Sequence, residues 1–160
     1  VDLSNEARVI GDALRLRWPD AKFYVSTQPS CDDGRGLCDL VIIDWSDAPR
    51  CAPVREVARE AAGYSTHKKP GWKIAYRHRI SRETRLKVRE LILAQYPGYD
   101  YITEAGDLNP DAVWRYLAPP IVMPVDGLGD ERTITCKDHD GNSLIKVVAY
   151  AILRREGKDV

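Results

Sequence analysis

At 160 residues the chain is long enough for one sound core, or for a compact domain with a substantial appendage. Its 44% hydrophobic and 30% charged content is ordinary for a globular protein, and no apolar run approaches the ~20 residues of a membrane span. The 24 basic and 24 acidic residues cancel, which excludes a uniformly basic surface, so any anionic partner has to be met by a local patch.

The opening Val1-Asp2-Leu3-Ser4-Asn5-Glu6 is polar and acidic, without a basic n-region or an apolar h-region, and predicts no signal peptide. Four cysteines (Cys31, Cys38, Cys51, Cys136) are too scattered for a disulfide scaffold in a chain able to build its own core. A cytoplasmic setting without membrane contact is therefore expected.

In chain order, Ser4 or Asn5 is placed to cap a helix running to Trp18, with Ala7, Ile10, Leu14 and Trp18 as its core stripe and Pro19 as its stop. Residues 22–26 alternate as a strand, with Phe23 and Val25 on one face and Lys22, Tyr24 and Ser26 on the other. Residues 27–37 read as a loop, and 38–45 as a second, more apolar strand. A helix over 52–62 carries Pro53 in its first turn and ends at Gly63. After a loop at 64–72, residues 73–79 alternate as a third strand, with Ile74, Tyr76 and His78 sharing a face.

Ser81 then caps a helix over 82–96 whose apolar side is Val88, Leu91 and Ile92, and Pro97-Gly98 stops it. The loop-rich stretch 99–129 contains a short helix opened by Asn109-Pro110. A strand is expected at 132–136, a turn at Asp138-His139-Asp140-Gly141, and a final element over 144–155 that reads as helix, with a strand as the alternative. Together these elements predict an α+β fold, with a small, mainly antiparallel sheet of three to four strands packed against about four helices. They form a single domain over 1–160, with 5–62 as a helix-strand-strand-helix core.

Within that core, a helix ends in Arg17-Trp18-Pro19, a strand reads Lys22-Phe23-Tyr24-Val25, and a second strand closes through Trp45-Ser46-Asp47-Ala48-Pro49 before another helix. This arrangement resembles a large polyvalent protein-associated domain, a small module of phages and conjugative elements. The chain has Ala48 where that family commonly shows glycine, and an added Cys31-Asp32-Asp33 segment between the strands. The resemblance implies a mobile-element setting and a part in helping incoming DNA survive host defences. It implies no reaction and no catalytic residue.

Charge is uneven only between Lys68 and Arg89, where nine lysines and arginines (Lys68, Lys69, Lys73, Arg77, Arg79, Arg82, Arg85, Lys87, Arg89) face one acid, Glu83. Arg82, Arg85 and Arg89 fall at i, i+3 and i+7, on one helix face. Lys73, Arg77 and Arg79 fall on the strand face away from Ile74 and Tyr76. Such a patch neutralises phosphates or carboxylates, and Trp72 is placed to stack on a base. The plainer alternative is a solvated helix beside a basic loop, quenched by acids elsewhere.

Other constellations are less specific. No Cys-x-x-Cys or His-x-x-x-His pair suggests a metal, and Asp138–Asn142 lacks the closing glutamate of a calcium loop. Asp32-Asp33-Gly34-Arg35-Gly36 matches no phosphate-loop pattern, so neither a cofactor nor a metal is expected. A hydrolase would pair His67 or His78 with Asp44 or Asp47 and a nucleophile among Ser46, Ser65 and Cys51, without a spacing that selects one set. Tyr96, Tyr99, Tyr101, Trp114 and Tyr116 fill a core or mediate self-association.

The basic patch, together with what the resemblance implies, leads to the expectation of a non-enzymatic accessory or counter-defence protein of a mobile genetic element. It would bind nucleic acid, or an acidic surface of a host nucleic-acid-processing protein, through Lys68, Lys69, Trp72, Lys73, Arg77, Arg79, Arg82, Arg85 and Arg89. A small nucleotide- or nucleic-acid-processing hydrolase and a self-associating structural subunit are the alternatives.

Overall fold

A computed structural model describes residues 2–32, 37–63, 71–112, 121–125, 130–134 and 141–160. The fold is α+β, as expected, and the chain divides into two compact units, Val1–Arg79 and Ile80–Val160. The division falls inside the basic stretch, because the third strand completes the first sheet and Ser81 starts a new helix.

In the first unit, α1 (Ser4–Arg17) begins on the Asp2 carboxylate, which accepts from the Ser4 amide at 2.9 Å and the Ser4 hydroxyl at 2.6 Å. Leu3, not Ser4 or Asn5, occupies the cap position and makes no side-chain cap hydrogen bond, so the polar contact at this end comes from Asp2, two residues before Ser4. Ala7, Ile10 and Leu14 are buried as the periodicity predicts. Strands β1 (Tyr24–Asp32) and β2 (Leu37–Ser46) pair antiparallel. Most of the expected 27–37 loop is therefore strand: a register shift between Gln28 and Cys31, at Pro29, absorbs the residues that break the alternation. Helix α2 (Cys51–Ala61) leads to β3 (Lys73–Arg79), which lies parallel to β2 in a sheet of order β1-β2-β3.

Side chains alternate across this sheet. Val41, Ile43 and Trp45 of β2 are buried with Ala7, Ile10 and Leu14 of α1 and Val54 and Ala58 of α2; Val25, Ile74 and Tyr76 flank them. The opposite face is laid out in rows by register: Tyr24–Asp44–Arg77, Ser26–Ile42–Ala75 and Gln28–Leu40–Lys73. Both helices of the unit pack on the Val41–Trp45 side.

The end of β2 is tightly organised. Aromatic rings run from Trp18 to Phe23 (6.0 Å) and Trp45 (5.9 Å), and His78 stacks on Trp45 at 4.9 Å. The Trp45 indole donates to the Pro49 carbonyl at 2.7 Å across a cis Ala48–Pro49 peptide, and Asp47 takes φ 61°. The Asp47 amide continues the ladder by donating to the Arg79 carbonyl at 2.8 Å.

In the second unit, Ser81 caps α3 (Arg82–Gln95) by accepting from the Thr84 amide at 3.2 Å. Val88 and Ile92 are buried with Leu144, Ile145, Val148, Ala149 and Ile152 of α4 (Gly141–Arg155), which settles the last element as helix. Gly141, expected to close a turn, instead opens the first turn of α4. Tyr99 and Tyr101 belong to this core, and Tyr96 packs against it. The expected 132–136 strand appears as β5 (Asp130–Ile134), paired antiparallel with β4 (Ile121–Val125) in a separate hairpin. Periodicity missed β4, a five-residue run interrupted by Pro124. The Gln95 amide holds β4 to α3, donating to the Val122 carbonyl at 2.6 Å and accepting from its N–H at 3.1 Å. The expected helix after Pro110 and the Asp138–Asp140 turn lie outside the described residues, as do Trp114 and Tyr116.

Candidate functional site

The basic stretch separates into two groups with different partners. On α3 the three arginines do share a face, and that face is occupied. Residues 102–108 form a tight reversal, closed by the Ile102–Leu108 bridge and by Gly106 N–H donating to the Thr103 carbonyl at 2.9 Å. Arg82 Nη2 meets the Asp107 carboxylate at 2.9 Å. Arg85 donates through Nε to the Gly106 carbonyl and through Nη1 to the Ile80 carbonyl, both at 2.6 Å. Arg89 Nε donates to the Ile102 carbonyl at 3.1 Å. Lys87 reaches Glu156 at 2.7 Å and Glu83 at 3.7 Å; the Glu156 hydrogen bond raises its pKa above the ordinary 10.5.

Gly106 fits this dock by having no side chain. Its φ is +85°, and a Cβ there would stand 2.7 Å from Arg82 Cγ and 3.2 Å from the Arg82 carbonyl. The α3 arginines thus brace the loop through its Ile102 and Gly106 carbonyls.

The β3 group is different. Lys73, Arg77 and Arg79 are exposed at alternate positions along one sheet face. Arg79 is paired with Asp44 at 2.6 Å, so the single carboxylate of that face in the register rows is already neutralised. Arg77 has no hydrogen-bond or ion-pair partner among the described residues. In its own row, across Asp44, lies Tyr24, a residue 69% exposed. Two strand spacings separate Tyr24 from Arg77, roughly 10 Å, and Lys73 stands about 13 Å from Arg77 along the strand. The arrangement offers one flat aromatic and two cations around half-buried Leu40 and Ala75, with Ile42 between them buried.

Sequence reasoning placed Tyr24 on the face away from Phe23 and Val25, but did not connect it to Arg77. That connection needs the β1-β2-β3 order and the parallel pairing of β3. Trp72, expected as a stacking residue, is half-buried and packs against the first core. Lys68, Lys69, His67 and Ser65 lie outside the described residues.

The components of a hydrolase are not brought together among the described residues. His78 Nε2 donates to the backbone carbonyl of Asp47 at 2.6 Å, since a carbonyl only accepts. Its ring stacks on Trp45 on the core side, while Asp44 lies on the opposite face and is held by Arg79. No group of three or more His, Cys, Asp or Glu among the described residues is placed to hold a metal ion, and none of their helices is long and apolar enough to cross a membrane. Comparison with protein-family models, with curated proteins and with solved structures finds no match to this chain.

Proposed function

We propose that this protein is a non-enzymatic accessory protein that binds single-stranded nucleic acid on the face of its three-stranded sheet. Lys73 and Arg77 meet phosphates and Tyr24 stacks on a base. The observation that carries this reading is the Tyr24–Asp44–Arg77 row: an exposed aromatic and an unpartnered guanidinium in register, with the intervening carboxylate neutralised by Arg79. Sheet faces that hold single strands combine these two parts, because stacking tolerates any base and cations follow the backbone. The mobile-element and counter-defence setting rests on the resemblance of residues 5–62 to a large polyvalent protein-associated domain.

The test is fluorescence anisotropy of a labelled single strand of about 20 nucleotides titrated with protein at several salt concentrations. The expected log–log salt slope is about −1.4, set by the two cations Lys73 and Arg77 at ~0.7 each. Arg77→Glu and Tyr24→Ala should each weaken binding by about tenfold. Salt-independent binding, or full affinity in both variants, would overturn the reading.

A further inference from the structure

A second surface lies at the outer edge of β1. That strand is terminal in the sheet, so every second residue directs its N–H and C=O away from β2. Among the described residues, no backbone–backbone hydrogen bond outside the β1–β2 ladder involves residues 24–27. Natural edges are usually blunted by lysine, proline or an early bulge. Here Tyr24-Val25-Ser26-Thr27 has no charge and no proline, and the register shift comes only after Gln28. The edge is left fit for pairing over about four residues.

Beside it runs a groove of about 350 Å³, walled on one side by residues 25–27 and on the other by Ser4, Arg8 and Arg15 of α1. Arg8 and Arg15 are seven residues apart, two turns of helix, and so line the same wall. Both are more than half exposed, and they share one carboxylate, Asp12, at 3.4 and 3.5 Å. Arg8 also donates to the Asn5 side-chain oxygen at 2.9 Å. These exposed contacts use only a few of the ten guanidinium N–H donors and leave most available to a better acceptor. Gly11 has no side chain where a Cβ would stand 3.0 Å from Arg15 Nη1, which leaves that guanidinium room to lie back along the helix.

We infer that this groove takes an extended acidic segment of a partner protein, which adds to β1 as a fourth strand and directs carboxylates to Arg8 and Arg15. The main-chain edge supplies affinity without sequence preference, and the two arginines select for acid on the helix-facing side. A second copy of this chain is a poorer occupant. Pairing β1 with its twin would set one arginine wall facing another, and residues 24–28 bring no carboxylate to relieve it.

The probe is a labelled peptide of about ten residues alternating Val and Glu, added to the full chain and followed by anisotropy and by backbone amide shifts. Shifts at residues 24–27 and along α1 are expected, and Arg8→Glu/Arg15→Glu should weaken binding by at least about tenfold. The same peptide N-methylated at alternate residues should lose binding to a similar extent, a control that leaves the protein untouched. The double variant should keep its single-strand affinity, which separates this groove from the sheet face. Undetectable peptide binding would overturn the inference, as would equal affinity for the N-methylated peptide or for a Val-Lys counterpart. Displacement of the peptide by single-stranded nucleic acid would assign the groove to phosphates instead, and a dimer abolished by Thr27→Pro would assign the edge to a second copy.

Discussion

Arg85 Nε donates to the carbonyl of Gly106 at 2.6 Å, and the same guanidinium reaches the carbonyl of Ile80 at 2.6 Å. One side chain thereby ties the start of α3 to the 102–108 reversal. Its charge is used inside the fold, where it organises backbone acceptors, and is not displayed for a ligand.

Replacing Arg85 with Met keeps much of the apolar stem and removes both hydrogen bonds. Charged hydrogen bonds contribute about 1.5–3 kcal/mol each, with overlap between two made by one group, so a loss of about 2–4 kcal/mol in the second unit is expected. Hydrogen exchange resolved by peptide should show faster exchange over 80–108, with residues 24–46 unchanged.

Gly106→Ala acts on the same dock from the other side. Alanine at φ +85° is strained, and its Cβ would meet the Arg82 backbone as well as the side chains of Arg82 and Leu86. A cost of about 1–3 kcal/mol is expected, read as a lower denaturation midpoint with little change in slope.

Much of this was legible in the sequence. The stripes of α1 and α3, the Ser81 cap and the alternation of β3 follow from spacing alone, because local periodicity decides them. The fate of the charges was not legible. Arg82, Arg85 and Arg89 share a face in any helix, but only the chain reversal at Gly106 reveals that the face is covered, and that contact joins residues some twenty positions apart. Tyr24 was likewise assigned to the right face without its neighbour, since strand order is a non-local property. The β1–β2 extension was hidden by Pro29, which reads as loop until the register shift is seen.

Gly11→Ala should do the opposite of Gly106→Ala. Gly11 sits inside α1, and the three atoms nearest to an added Cβ all belong to the far end of the flexible Arg15 side chain. A gain of about 0.5–1 kcal/mol is expected, measured as a raised midpoint in thermal unfolding.

Alkaline pH should loosen the second unit. Burial pushes the Tyr99 phenol well above its ordinary 10.0, with Tyr101 and Asp100 adding to the shift, and the Glu156 hydrogen bond raises Lys87 above 10.5. Both groups hold their proton longer folded than unfolded, so their stability is fully present below about pH 10 and declines as pH rises further. Tyr99→Phe should flatten part of that decline in denaturant titrations run from pH 9 to 11.

The most direct measurement is a residue-resolved footprint of a single-stranded oligonucleotide on the labelled protein, by amide shift changes. Division of the basic stretch into ligand-facing and internal halves predicts changes at Tyr24, Asp44, Ala75 and Arg77, with residues 82–89 and the 102–108 reversal unmoved. Changes centred on Arg82, Arg85 and Arg89, with the sheet face silent, would contradict it.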